Sequence, residues 1–502
     1  MYRQVRLSPD DRDMLRVLWR NNKDEPILTY RLSTVTFGLK PSPFQAIRSV
    51  HQTADAEKDE FLEPAKEAKN NFYVDDLLTG SDTIHKTIHL GVGIRSMLKR
   101  GGFNLLKFSS NSKEILMALL ESEKANWTLA ERDLTRFLIA PNDSVKTLGL
   151  KYAPSSDKFS RSNISLFGDG SSSKVTKRSI LSETSNLFDP LGFIGPLIVK
   201  AELIIQELWK FKLEWDESVP QLIYTNWRDF CADILPISDL EISRFAMSPN
   251  PTRIELHGFA DASEKAYGAC IYLRSINAKN EISCHLLIAK SRVAPLHSIS
   301  IPRLELCATV ILSRLLTQVK TAMCLDFASI GLWTDSEIAL SWIHEPPFRW
   351  KTFVANRVAE IQTQTSDSQL RHIESESNPA DLISRGVQAT QLMESRLEWH
   401  GPEILQKPGD ISQIYSKKSI TPEEALKERK QNCVSLFVVP DSWDLFSKYS
   451  TLDRLQRVFA YVQRFIVDFR RREKSRLKGE LGSEGLNHSL DTLIRISQHE
   501  AF

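Results

Sequence analysis

The sequence predicts an α/β and α+β multidomain protein, built of four consecutive segments. Three observations carry that prediction. Strand-like and helix-like patterns alternate from about residue 251 to 390. Apolar residues recur at helical spacing between Thr176 and about Trp215. Residues 391–502 are charge-rich and patterned as helices. At 502 residues the chain has room for about three domains of roughly 100–200 residues each.

The segments follow in order. Residues 1–165 mix short strand-like runs with helices, and the small polar stretch 168–173 marks a boundary. Over 166–250, Leu197, Ala201, Ile204 and Leu208 trace one helical face, and the Pro190 and Gly192 punctuation divides the region into two helices. The third segment opens with strand candidates Arg253–Phe259, Ala266–Arg274 and Ile282–Ala289. A helix starts at Pro302, the proline suiting a first turn, with Leu304, Ala308, Ile311, Leu312 and Leu315 on one side. Ser329–Thr334 is a strand, Ser336–Ile343 a short helix and Gln369–Ile373 a last strand. Asn378-Pro379-Ala380-Asp381 reads as a helix start, with a capping side chain, a proline and an early acid. In the fourth segment Leu452, Leu455, Phe459, Val462, Ile466 and Phe469 form an amphipathic stripe, and a run from Arg470 to Lys478 reads as a solvated basic helix surface, with a phosphate-contacting patch as the alternative.

The formal net charge is +2, from 65 basic and 63 acidic residues. That balance neither advertises nor excludes nucleic acid, because opposed basic and acidic patches cancel in the sum. The six cysteines form no C-x-x-C pair, which argues against a zinc module in this stretch and for reduced thiols in an intracellular protein. No secretory leader or continuous apolar span is present in the sequence. The expected compartment is intracellular, cytoplasm or nucleus, with no membrane partner.

Four separated carboxylates stand out. Asp261 ends a strand in Phe-Ala-Asp-Ala-Ser, Glu305 lies in the first turn of its helix, Asp335 ends a strand in Trp-Thr-Asp-Ser, and Asp381 begins a helix. Singly, each is explained as a turn former, a wet helix position or a complement to a helix dipole. Together, strand ends and helix starts of one sheet can aim several acids at one spot. Four acids without His or Cys suit magnesium, which prefers oxygen ligands, and a pair of ions needs several carboxylates.

The strings Phe259-Ala-Asp-Ala-Ser263, Ala266-Tyr-Gly-Ala269, Ile301-Pro-Arg-Leu-Glu-Leu306, Leu332-Trp-Thr-Asp-Ser336 and Asn378-Pro-Ala-Asp-Leu-Ile-Ser-Arg-Gly386 resemble the ribonuclease H domain of BEL/Pao-type retrotransposon polyproteins. The resemblance implies a five-stranded mixed sheet with flanking helices over 251–390. It further implies that Asp261, Glu305, Asp335 and Asp381 bind Mg2+, or Mn2+ in its place, to cut the RNA strand of an RNA–DNA hybrid. Many such domains carry a histidine in the loop before the last acid. Here that loop is Ile373-Glu-Ser-Glu-Ser-Asn378, and His372 precedes it, so product release is the step this departure touches. Trp333, Trp342 and Trp350 are expected in the core rather than as base-stacking platforms.

Tyr73-Val74-Asp75-Asp76 between apolar neighbours reads as an ordinary turn or as a hairpin presenting two carboxylates. Around it, Thr34–Gly38, Ser42–Phe44, Gly101–Asn104, Leu106–Asn111 and Thr147–Leu150 resemble the reverse transcriptase of the same family. The strings Thr176–Ser182, Phe188–Gly192 and Leu213–Asp216 resemble its thumb and connection, and Trp399–Pro402 with the helix from Leu452 resembles the spacer before its integrase. The resemblance thus implies a truncated palm over 1–165 with Asp75 and Asp76 at its metal site, a mainly helical thumb and connection over 166–250, and a helical spacer over 391–502 preceding a missing integrase. In that family a catalytic aspartate stands four residues before the methionine matching Met1, so the polymerase is expected to be inactive in this chain. Expected partners are the hybrid, template–primer nucleic acid and other parts of the Pol polyprotein. A decayed, non-catalytic nucleic-acid-binding relic is the alternative.

Overall fold

The structure, a computed structural model, describes residues 1–124, 145–147, 150–160, 174–365, 369–409, 411, 423–430, 445–470 and 479–501. The polar stretch 168–173, residues 148–149 of the Thr147–Leu150 string and residues 471–478 of the basic run lie outside them. Contacts divide the chain into two units, Met1–Lys430 and Gln431–Phe502.

In the first unit, helices Ser42–Glu57, Leu62–Asn71 and Ile84–Arg100 close over Val50, Ala54, Ala68, Leu90, Ile94 and Leu98. Against that core lies a two-residue hairpin, Phe72–Tyr73 paired with Asp76–Leu77. Val145–Thr147, Leu150–Ala153 and Lys158–Ser160 form an antiparallel sheet that Glu241–Ser243 completes from the far side of the connection. Between them run helices Lys177–Ser185, Gly195–Lys210 and Gln221–Ile234, with Leu197, Ala201, Ile204 and Leu208 buried on the predicted face.

The largest sheet has five strands: β1 Pro251–Ala262, β2 Ala266–Asn277, β3 Ile282–Val293, β4 Ser329–Thr334 and β5 Gln369–His372. Its order is β3-β2-β1-β4-β5. The first three strands form an antiparallel meander, while β4 and β5 add in parallel through helical crossovers. The helices are α1 Ile301–Met323, α2 Glu337–His344, α3 Thr352–Gln364 and α4 Ala380–Arg385. Helix α1 buries Leu304, Ala308, Ile311, Leu312 and Leu315 on one sheet face with Leu256, Ala260 and Leu332. Each leucine or isoleucine among them contributes roughly 1.5–3 kcal/mol when fully buried, so this helix anchors the layer. Gly258 permits the close approach, since a Cβ there would stand 2.5 Å from Leu312 Cδ1. The opposite face packs Phe259, Tyr272 and Trp333 against Ile383 of α4 and Phe193 of the connection. Trp333, Trp342 and Trp350 are all fully buried, as expected of core residues. Helix α3 is an addition to the elements expected from sequence; Val354, Val358 and Ile361 carry its helical spacing within an otherwise polar run.

The connection also reaches the edge of the sheet. Ala289 N of β3 donates to Leu191 O at 2.8 Å. Gly192 follows at φ +76°, and a Cβ there would fall 1.9 Å from Ala289 O, so only glycine fits this approach. At the far end of β2, fully buried Arg274 donates to Glu255 at 2.6 Å and to the carbonyls of Leu405 and Lys407 at 2.8 and 2.6 Å. Burial opposes ionisation of Glu255, but hydrogen bonds from His257, Arg253 and Arg274 override it and hold the carboxyl down to about 2.

In the second unit, helices Leu452–Arg470 and Ser483–Ala501 pack through Leu455, Phe459 and Leu493. Leu452, Val462, Ile466 and Phe469 of the predicted stripe are exposed. No described helix is long and apolar enough to cross a membrane.

Candidate active site

Strand register brings the first two acids together. Thr334 of β4 pairs in parallel with Ala260 of β1. The next residues along, Asp335 and Asp261, therefore leave the same edge of neighbouring strands, whose spacing is about 4.8 Å. Asn378 ties the start of α4 to this edge: its Nδ2 donates to Ala260 O at 3.1 Å and reaches toward Asp335 Oδ1 at 3.5 Å, while its Oδ1 accepts from Ala380 N. Ser263 Oγ donates to Ser384 O at 2.7 Å, fixing α4 over the β1–β2 turn. Helix α1 begins at Ile301, so Glu305 stands just past the first turn in which the sequence placed it, and it accepts from Ser336, the neighbour of Asp335.

Each acid has its own side-chain partner. Ser384 Oγ donates to Asp261, Ser336 Oγ to Glu305, and Ser375 Oγ to Asp335 at 2.7 Å. Asp381 Oδ1 lies 2.5 Å from Arg385 Nε as an ion pair but accepts no well-directed hydrogen bond. Electrostatics link all four. Burial, then the charges of Asp335 and Asp381, push Asp261 up to about 6 against the hydrogen bond from Ser384. Burial, with Asp335 and Asp261 behind it, pushes Glu305 up to about 7. Burial and Asp335 also raise Asp381, against Arg385. Carboxylates that raise one another in a half-buried site are the pattern a cation relieves.

The donor set is all oxygen, which fits a hard divalent ion. The acids rest on their hydroxyl and guanidinium partners, and among the described residues no three His, Cys, Asp or Glu side chains stand close enough to share one ion as positioned. Ser336, Ser375 and Ser384 were not singled out from sequence, although two of them stand inside the strings carrying Asp335 and Asp381. A hydroxyl beside an acid has no spacing rule to mark it.

Asp75 and Asp76 stand on the Phe72–Leu77 hairpin, a two-stranded sheet separate from the five-stranded one. Val74 turns that hairpin at φ +55°, a strained value for a β-branched residue. Burial and the charge of Asp75 raise the carboxyl of Asp76, while Lys107 lowers it.

A mixed five-stranded sheet in this order, with acids at the shared edge of its two central strands, defines a ribonuclease H-like domain. Residues 176–336 match the family described as Pao retrotransposon-like RNaseH-like domain. The match includes Asp261, Glu305 and Asp335; Asp381 lies beyond it. Among solved structures, the foamy viral protease-reverse transcriptase in complex with RNA/DNA hybrid is similar at 13% identity and a TM-score of 0.40, covering 74% of this chain and 42% of that one. LC11-RNase H1 in complex with RNA/DNA hybrid is similar at 15% identity and a TM-score of 0.20, covering 26% and 93%. RNase H1 from the halophilic archaeon Halobacterium salinarum NRC-1 is similar at 10% identity and 0.18, covering 26% and 90%. The chain thus spans less than half the length of the foamy viral protein. No curated protein matches it.

Proposed function

We propose that the sheet domain hydrolyses the RNA strand of an RNA–DNA hybrid with divalent cations. The observation that carries this reading is that burial and neighbouring carboxylate charge, that of Asp335 in every case, raise Asp261, Glu305 and Asp381 at one sheet edge. Asp261, Glu305, Asp335 and Asp381 would hold magnesium, or manganese in its place. When bound, such ions supply an activated water and neutralise charge at the leaving 3′ oxygen. The chain's own part is positioning. Ser384, Ser336 and Ser375 fix the carboxylates they bond, and Asn378 holds α4 against the strand edge. With no cation bound, burial and the charges of Asp335 and Asp261 push the carboxyl of Glu305 up to about 7. Recognition of the hybrid rests on backbone shape and 2′-hydroxyls, since the tryptophans of the domain are buried.

The palm-like hairpin is read as inactive in polymerisation. The charge that raises Asp76 comes from its neighbour Asp75 alone, with Lys107 opposing, in contrast to the linked acids of the sheet. Primer–template extension by the chain should yield no product, and clear extension would refute this.

The test of the nuclease is cleavage of a labelled hybrid, with magnesium or with chelator, by the chain and its Asp335→Asn variant. Magnesium-dependent cutting of the RNA strand, lost in the variant, supports the proposal. Folded protein that cuts in neither form moves the reading to a non-catalytic binding relic.

A further inference from the structure

The helix Leu452–Arg470 has two apolar sides. One is closed, where Leu455 and Phe459 pack on Leu493 of the helix Ser483–Ala501. The other is open. Val458, Val462, Phe465 and Phe469 are exposed along it, the two phenylalanines to 69% and 80%, with Tyr461 beside them at 55%. At roughly 150–250 Å² per aromatic side chain, these three rings leave on the order of 400 Å² of mainly apolar surface in water. The exposed parts of Val458, Val462 and Ile466 add to it. The total is well over half of the roughly 800 Å² that each partner buries in a standard protein interface.

The spacing says what such a face accepts. Val458, Val462, Phe465 and Phe469 follow at steps of four, three and four residues, the heptad seam of a coiled coil, into which a second helix inserts its own side chains. The charges say which helix. Arg457 and Asp468 lie on one flank of the seam, eleven residues apart. At 1.5 Å per residue that is about 16 Å, too far for the two to pair. Neither has an ionic partner among the described residues, and Asp468 Oδ1 is buried without a hydrogen bond.

We propose that two copies of this chain pair antiparallel through the helix Leu452–Arg470, about a two-fold axis near Gln463 and Arg464. In that register Val458 faces Phe469 of the second copy and Val462 faces its Phe465, so each small side chain meets a large one. Arg457 of each copy then stands across the seam from Asp468 of the other. A parallel pair would hold like charges at the same height instead. Arg464, near the axis, is drawn away from its own copy, since its guanidinium donates to Gly479 O at 2.8 Å. A symmetric pair of this kind closes on itself and leaves no open face to recruit a third chain.

Sedimentation velocity and light scattering of the full chain, over a wide range of micromolar concentrations, test this. Wild type should pass reversibly from monomer to dimer mass as concentration rises. Phe465→Glu and Phe469→Glu should each weaken the dimer roughly tenfold or more, with circular dichroism and melting temperature unchanged because both side chains are exposed. Arg457→Glu should weaken it by setting two acids across the seam, and Arg457→Glu combined with Asp468→Arg should restore it. Asp468 is half-buried, so if the combined variant fails to fold, the phenylalanine variants and Arg457→Glu decide. Monomer mass for wild type at every concentration overturns the proposal and gives the face to another part of the chain or another protein. A dimer unchanged in both phenylalanine variants, or a folded combined variant that stays weak, overturns it as well.

Discussion

Glu398 should make the stability of the first unit fall with rising pH. Its side chain is fully buried beneath the sheet, and neither carboxylate oxygen has a hydrogen-bond partner. Burial, with the charge of Asp189 behind it, pushes the carboxyl from an ordinary 4.5 up to about 8. The folded chain therefore binds this proton more tightly than the unfolded chain does. The associated stability is fully present below pH 4.5 and is lost as pH rises toward 8. At about 1.4 kcal/mol per pH unit, the whole interval corresponds to on the order of 4–5 kcal/mol. Glu398→Gln, which is neutral at every pH, should remove that slope. Asp261 and Glu305 are raised as well and add slopes of the same sign, so the readout is the difference between wild type and variant. Urea midpoints followed by fluorescence of the buried Trp333, Trp342 and Trp350, at pH 5, 6, 7 and 8 with chelator present, give that difference. A gap that closes or reverses by several kcal/mol between pH 5 and 8 is expected. Parallel curves would mean the carboxyl is hydrated or paired, and would refute the reasoning.

Two further outcomes follow from the same contacts. Ser375→Ala removes the hydroxyl that donates to Asp335 at 2.7 Å; a hydrogen bond to a charged group is worth about 1.5–3 kcal/mol, so hybrid cleavage in single turnover should slow roughly tenfold while hybrid affinity stays constant. An unchanged rate would remove Ser375 from the site. Arg274→Met strips the fully buried partner from Glu255 and releases the carbonyls of Leu405 and Lys407. Breaking a buried pair from one side costs about 3–5 kcal/mol, read as a lowered urea midpoint; a loss below 1 kcal/mol would mean that Arg253 and His257 suffice for Glu255.

The sequence by itself determined most elements of the sheet domain and singled out four candidate acids. Short apolar runs mark the strands, β1 and β2 being buried on both faces, and the helical apolar spacing marks α1, whose stripe packs on the sheet. The five strings naming Asp261, Glu305, Asp335 and Asp381 were legible because those residues sit at strand ends and helix starts, where local sequence is most constrained. Helix α3 was harder to read, since three apolar residues in a polar run are a weak periodic signal. What only the tertiary structure decided is who meets whom. Pairing of Thr334 with Ala260 sets Asp335 beside Asp261 across more than 70 residues of chain. The hydroxyls of Ser336, Ser375 and Ser384 and the buried carboxyl of Glu398 acquire meaning only from neighbours brought in by the fold. A pKa depends on distance and burial, and neither has a period that a sequence can display.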